Sequence, residues 1–110
     1  MTADDSRWEG RAVAYSVRIT RIGYDGARAV YEWESTNGLS GHVGVDLPAG
    51  IFRPVDASGA PIGAMSFRKG GGDVTNPEAG AVSDFLTVVG GILKRWKEAE
   101  PPETAHLYFG

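Results

Sequence analysis

The hydrophobic periodicity of the chain changes to a helical spacing near residue 77, and this change constrains the fold more than any other feature. Between residues 77 and 99, apolar side chains recur at the spacing of one helical face. They are Val82, Phe85, Leu86, Val89, Ile92, Leu93 and Trp96. Asn76 is a suitable N-cap, Pro77 suits the first turn, and Pro101-Pro102 would end the helix. The pattern predicts one amphipathic helix over residues 77–99.

Before this helix, apolar residues alternate with polar ones, as in strands with one buried and one solvated face. The alternation and its turns predict strands over about 11–23, 27–35, 39–47, 51–55 and 61–68. The last of these has two alternatives, with either Met65 and Phe67 or Ile62 and Ala64 facing inward. Residues 105–109 also alternate and predict a further short strand. The fold class is therefore α+β: an antiparallel β-meander of four or five strands with one C-terminal amphipathic helix packed on one face.

Two glycine turns allow the strand register to be predicted. A two-residue loop at Asp25-Gly26 would place Ile19 opposite Glu32 and would mix the apolar and polar faces. A three-residue loop at this turn and at the Asn37-Gly38 turn, with Gly26 and Gly38 as bulge glycines, keeps each face consistent. The pairs that follow are Ile19–Tyr31, Val17–Trp33, Tyr31–Val43, Ala29–Val45, Arg18–Glu32 and Glu32–His42.

Composition narrows the class of protein. With 110 residues, 42% hydrophobic and 23% charged, the chain has the composition of one ordinary globular domain, residues 1–110, with a loose N-terminal tail over 1–6. A net charge of −3 argues against binding to nucleic acid, and the absence of cysteine excludes disulfides and thiolate chemistry. The acidic first ten residues are unlike a signal peptide, and no apolar run reaches the roughly 20 residues that span a membrane. We expect a soluble cytoplasmic protein.

The sequence contains no pattern typical of a catalytic, cofactor or metal site. The glycine-rich segment 68–73 has its lysine before the glycines, which is the wrong order for a phosphate-binding loop. His42 and His106 are the only histidines, and no nucleophile motif surrounds any serine. His42 and Asp46 lie about 13 Å apart along a strand, too far to share one ion with Glu32. We therefore predict no catalytic residues, no cofactor and no metal.

The solvated sheet face and the C-terminal residues are the predicted binding surfaces. The candidate partner-binding surface comprises Arg18, Glu32, Glu34, His42, Asp46, Leu107, Tyr108 and Phe109. The three apolar residues of the tail either dock on the chain's own sheet edge or helix, or contribute to a dimer or partner interface. Trp33 and Trp96 are predicted to pack in the core, whereas Trp8 packs over a sheet edge or is exposed.

These features favour a non-catalytic protein–protein interaction domain that binds a protein partner or itself. An immunity-type inhibitor is one version, in which Glu32, Glu34 and Asp46 would face a basic partner. Some toxin-neutralising immunity proteins share the meander-and-helix layout, although no motif supports the analogy. The alternative is a small-ligand-binding domain with a pocket between sheet and helix, lined by Tyr15, Tyr31, Trp33 and Phe85. An enzyme would need a histidine beside a carboxylate inside a cleft.

Overall fold

The computed structural model of the chain describes residues 15–109, which form a six-stranded antiparallel sheet with a helix packed on one face. The elements are β1 (Tyr15–Tyr24), β2 (Arg28–Ser35), β3 (Ser40–Asp46), β4 (Ile51–Val55), β5 (Phe67–Arg68), α1 (Val82–Arg95) and β6 (Thr104–Phe109). The strand order is β5-β4-β3-β2-β1-β6, a meander whose final strand returns to the β1 edge. The predicted fold class is confirmed, with six strands instead of four or five. The predicted tail, the start of the first strand and Trp8 lie outside the described residues.

The core lies between α1 and the sheet. The buried helix face is formed by Phe85, Val88, Val89 and Ile92, and it packs against the inward side chains of the strands. The largest fully buried residues of the rest of the chain include Ile19, Tyr31, Val43, Phe52 and Met65. The predicted stripe included Leu86, which is exposed, and omitted Val88, so the buried face is rotated toward Val88. Trp33 and Trp96 are half-buried and pack against this core.

The helix is shorter than predicted at both ends. Gly80 and Asn76 have φ angles of 86° and 52°, so the backbone is left-handed at two positions where the prediction required a helix or its cap. The Asn76 amide donates to the Ala64 carbonyl oxygen at 3.3 Å instead of capping a helix. Helix α1 therefore begins after Ala81. At the other end the backbone of Trp96 is extended, which stops the helix before the two prolines.

The β2–β3 hairpin has the predicted register. Tyr31 lies opposite Val43, Ala29 opposite Val45, and Glu32 opposite His42. Ser35 N–H donates to the Leu39 carbonyl oxygen, which closes a three-residue loop, and Gly38 has the positive φ that this loop requires.

The predicted β1–β2 register is wrong by two residues. Ile19 lies opposite Trp33 and Arg18 opposite Glu34, and β1 contains a bulge between Arg21 and Gly23. The cause is the Asp25 carboxylate, whose Oδ1 accepts the N–H groups of Ala27 and Arg28 at 2.9 and 2.7 Å and moves the turn toward β2. Since the error is an even number of residues, the predicted buried and solvated faces are unchanged.

The predicted strand over 61–68 is mostly irregular. Only Phe67 and Arg68 form β5, and Pro61 and Ser66 make isolated bridges. Gly63 has a φ of 71°, which breaks the extended backbone midway. Met65 and Phe67 are the inward pair, because Met65 is 1% exposed whereas Ile62 is 52% exposed.

The C-terminal residues form the predicted extra strand and dock on their own chain. Strand β6 pairs with β1, from Tyr15 opposite Phe109 to Thr20 opposite Thr104. Two hydrogen bonds anchor the segment that leads into β6: the Arg21 guanidinium donates to the Pro101 carbonyl oxygen, and the Tyr31 hydroxyl donates to that of Pro102. Burial, the largest cause, raises the pKa of the Tyr31 hydroxyl, so it remains a donor at neutral pH.

Helix α1 approaches the sheet most closely at Gly91. A Cβ atom at this position would lie 2.8 Å from Leu107 Cδ1 and 2.9 Å from Ile19 Cδ1, below any normal contact distance. At Gly90, one residue earlier, a Cβ would meet no atom within 4 Å. A side chain at Gly91 would therefore meet the packed ends of Leu107 and Ile19, and its absence fits the close approach of the helix to β1 and β6.

The two adjacent glycines are expected to respond to alanine in opposite directions. Gly90→Ala should stabilise the protein by about 0.5–1 kcal/mol through helix propensity. Gly91→Ala gains the same propensity but must displace two core side chains, which typically costs about 1–3 kcal/mol. Urea unfolding of both variants measures the difference. Equal stabilisation by both substitutions would show that Leu107 and Ile19 move aside without cost and would contradict the expected penalty at Gly91.

Candidate functional site

The charged residues of the predicted surface lie on the outer face, which we define as the sheet face opposite α1. Arg18 Nη1 is 3.5 Å from Glu34 Oε1, and His42 Nε2 is 3.7 Å from Glu32 Oε2. Exposed pairs of this kind contribute at most about 1 kcal/mol. The Arg18–Glu34 pair places opposite charges side by side, so these two residues partly neutralise each other on the outer face.

Asp46 lies apart from those two pairs. It lines a separate cleft of about 630 Å³ on the outer face, together with Arg28 and Arg53. Its Oδ1 accepts the Ala49 N–H at 3.2 Å, so the carboxylate also orders the turn after β3. The structure therefore does not bring Asp46 together with Glu32 and His42.

The three predicted tail residues are divided between the two faces of the sheet. Leu107 packs against the core beneath Gly91, and the Phe109 ring stacks on Tyr15 with centroids 4.9 Å apart. Tyr108 lies on the outer face, stacks on the His106 ring, and is 77% exposed. The tail is thus partly core and partly surface.

A groove of about 540 Å³ lies between the start of β3 and the start of α1. We call it the α1–β3 groove. Trp33, Val43, Met65 and Phe85 are among its apolar lining residues. Leu39 and Ile62 also line it and are 47% and 52% exposed, although both are large aliphatic side chains. The groove thus has an apolar interior with unburied apolar side chains beside it.

The length of β4 leaves one side of this groove open. Strand β4 ends at Val55, which lies opposite His42, so no β4 residue lies opposite Ser40. Ser35 N–H donates to the Leu39 carbonyl oxygen on the β2 side of β3. Since backbone groups alternate sides along an antiparallel strand, the N–H and C=O of Ser40 point away from β2. Within the described residues, Ser40 is therefore an unpaired strand edge beside the groove.

Gly41 leaves space for the Trp33 ring in the wall of the groove. An added Cβ there would lie 2.9 Å from Trp33 Nε1, so the indole lies directly over the Gly41 backbone. Trp33 and Gly41 are opposite each other on β2 and β3, which fixes this arrangement. The glycine thus lets an aromatic ring form part of the groove lining.

The groove is acidic. Asp56, Glu78 and Asp84 line it along with His42, and its lining among residues 15–109 includes no lysine or arginine. The Asp56 carboxylate accepts hydrogen bonds from the Ser58 hydroxyl at 2.6 Å and from the Ser58 and Ala60 N–H groups. These bonds hold the turn that forms one wall, and they lower the pKa of Asp56.

The pocket expected from the sequence is only partly present in the groove. Trp33 and Phe85 line the groove, whereas Tyr15 and Tyr31 do not. Tyr31 is fully buried in the core, and Tyr15 stacks on Phe109 at the β6 edge. The available signals for the groove were Leu39 and Ile62, two large apolar residues near the starts of the predicted strands 39–47 and 61–68.

The described residues bring together few side chains that could bind a metal ion or act in catalysis. Within residues 15–109, no group of three His, Cys, Asp or Glu side chains could hold a metal ion. His42 has a carboxylate neighbour in Glu32 and lies beside the groove, but in the described part of the chain no hydrogen bond joins its ring to a hydroxyl nucleophile. None of the helical segments described is long and apolar enough to cross a membrane.

No protein-family model matches the chain, and no curated protein or solved structure matches it. Function is therefore inferred from the chain's own geometry.

Replacing Asp56 should weaken the acid dependence of stability. The folded-state pKa of Asp56 lies below the ordinary value of 3.8, so its contribution is complete above pH 3.8 and is lost as pH falls through the folded-state pKa. Asp56→Asn should therefore lose less stability than the wild type between pH 4 and pH 2. Urea midpoints across this range provide the measurement, and parallel curves would contradict the role given to the carboxylate.

Proposed function

We propose that the chain is a non-catalytic protein-binding domain that holds a short extended segment of a protein partner in the α1–β3 groove. The observation that carries the proposal is the open β3 edge at Ser40 beside two exposed aliphatic side chains, Leu39 and Ile62. Extended segments bind to such edges through backbone hydrogen bonds, while alternate side chains enter adjacent pockets. The groove offers both kinds of contact.

The groove chemistry indicates the kind of segment that fits. Side chains that face the groove would be apolar and two residues apart, because an extended segment presents every second residue to one side. Lysine or arginine flanking them would complement Asp56, Glu78 and Asp84. An immunity-type inhibitor is one protein of this class. Its basic partner would face these carboxylates, since Glu32 and Glu34 already lie beside His42 and Arg18.

The size of the site favours a transient interaction. Covering the exposed parts of Leu39 and Ile62 contributes about 1 kcal/mol for each side chain, since full burial contributes about 1.5–3 kcal/mol. The open edge is short, so only a few backbone hydrogen bonds can form. We therefore expect a Kd of roughly micromolar order.

Selection from a random peptide library displayed on phage tests the proposal. Enriched peptides should share alternating apolar residues flanked by lysine or arginine. A synthetic peptide of that sequence should bind the wild type and lose at least about tenfold in affinity against Leu39→Asp. Leu86→Asp is the matched control, because Leu86 is similarly exposed on α1 but does not line the groove, and it should bind normally. Absence of enrichment, or equal binding by Leu39→Asp, would contradict the proposal.

A second candidate function is small-ligand binding in the same groove, because its volume of about 540 Å³ and its aromatic lining suit a small molecule. Ser40→Pro separates the two candidates. The Ser40 N–H points away from β2, so proline removes a donor at the open edge and no bond of the β2–β3 ladder. Peptide affinity should fall while the melting temperature is retained. Unchanged peptide affinity would favour binding by side chains alone, as in a small-molecule site.

A further inference from the structure

Strand β6 is the long edge of the sheet. The opposite edge, β5, has two residues, whereas β6 has six, and within residues 15–109 no strand lies beyond it. Arg21 N–H donates to the Glu103 carbonyl oxygen, so odd-numbered residues of this segment bond to β1. By the alternation of an antiparallel pair, the N–H and C=O groups of Thr104, His106 and Tyr108 point outward from the sheet.

The edge lacks the features that normally prevent strand pairing. Sheet edges are usually protected by charged side chains, proline, bulges or shortness. Strand β6 reads Thr-Ala-His-Leu-Tyr-Phe and contains no lysine, arginine, carboxylate or proline, and its pairing with β1 has no bulge. An uncharged edge can lie beside a copy of itself without repulsion between like charges.

The side chains of β6 place apolar surface on both faces of this edge, beside Thr104 and His106 on the outer face. Tyr108 has the largest exposed fraction among the large hydrophobic residues described, and it lies against His106 on the outer face. Leu107 and Phe109 extend the core on the α1 side. A strand added here would cover apolar surface on both faces while satisfying the outward backbone groups.

We infer that β6 pairs antiparallel with β6 of a second copy, across a two-fold axis at Leu107. This register places His106 opposite Tyr108 of the second copy and Ala105 opposite Phe109, so that a small side chain meets a large one. An axis at His106 would instead place two imidazoles opposite each other. The surface is distinct from the α1–β3 groove, because no β6 residue lines that groove.

Light scattering after size-exclusion chromatography tests the pairing. The full chain should be a dimer at high concentration and should dissociate on dilution. Tyr108→Lys should be monomeric at the same concentrations, because it places two charges close to the axis. Leu86→Lys introduces the same charge on α1, where Leu86 is also exposed, and should remain a dimer. A monomeric wild type at every concentration, or a dimeric Tyr108→Lys, would overturn the inference.

The absence of cysteine from the chain allows the register to be tested separately. In the proposed register Leu107 faces Leu107 in a non-hydrogen-bonded pair, where Cα atoms are about 4.5 Å apart and a disulfide can form. Leu107→Cys should therefore form a covalent dimer on mild oxidation. Ile22→Cys, at a more exposed residue in the β1 bulge, should not. A folded Leu107→Cys variant that stays monomeric, or equal cross-linking of both variants, would overturn the Leu107 register.

Discussion

The contact of Gly91 with β1 and β6 is the constraint on which the arrangement of this molecule depends. Because Gly91 has no side chain, Leu107 and Ile19 reach the helix backbone, and α1 lies closest to the β6 side of the sheet. The first turn of α1, with Asp84 and Phe85, lies toward β3, where the helix makes fewer contacts with the strands. Close packing at one end of α1 and an open groove at the other are thus two results of one helix position.

Unequal strand lengths determine where the sheet has open edges. Strand β4 ends before it can cover the start of β3, and β6 extends fully along β1 without a further strand beside it in the described residues. Each position leaves backbone donors and acceptors that have no strand partner among residues 15–109. The charged pairs of the outer face offer less attraction to a charged partner, because Arg18 and Glu34 partly neutralise each other at the surface. Open edges, more than charged side chains, therefore distinguish the two surfaces that we propose for binding.

Local signals allowed the fold class and the register of one hairpin to be predicted. Competing interactions explain why other predictions were wrong. At the β2–β3 turn Gly38 adopts the positive φ that a three-residue loop requires, so the register followed from the sequence. At the β1–β2 turn the Asp25 carboxylate competes for the backbone N–H groups, and periodicity does not reveal which turn results. The predicted start of the helix was also wrong, because Asn76 and Gly80 both adopt left-handed backbone. The groove depends on where β4 ends relative to α1, a long-range relation that no local pattern encodes.

The two proposed surfaces are compatible with each other because they lie at different strands. The groove lies beside β3, three strands from β6 in the sheet order. At about 4.8 Å between neighbouring strands, pairing through β6 would place two grooves roughly 30–35 Å apart along one continuous sheet. A partner with two suitable segments joined by a linker of matching length would then bind both grooves, and the second contact would form at a high effective concentration. Weak individual grooves could thus produce tight binding to a bivalent partner, which a monomer with the same groove could not achieve.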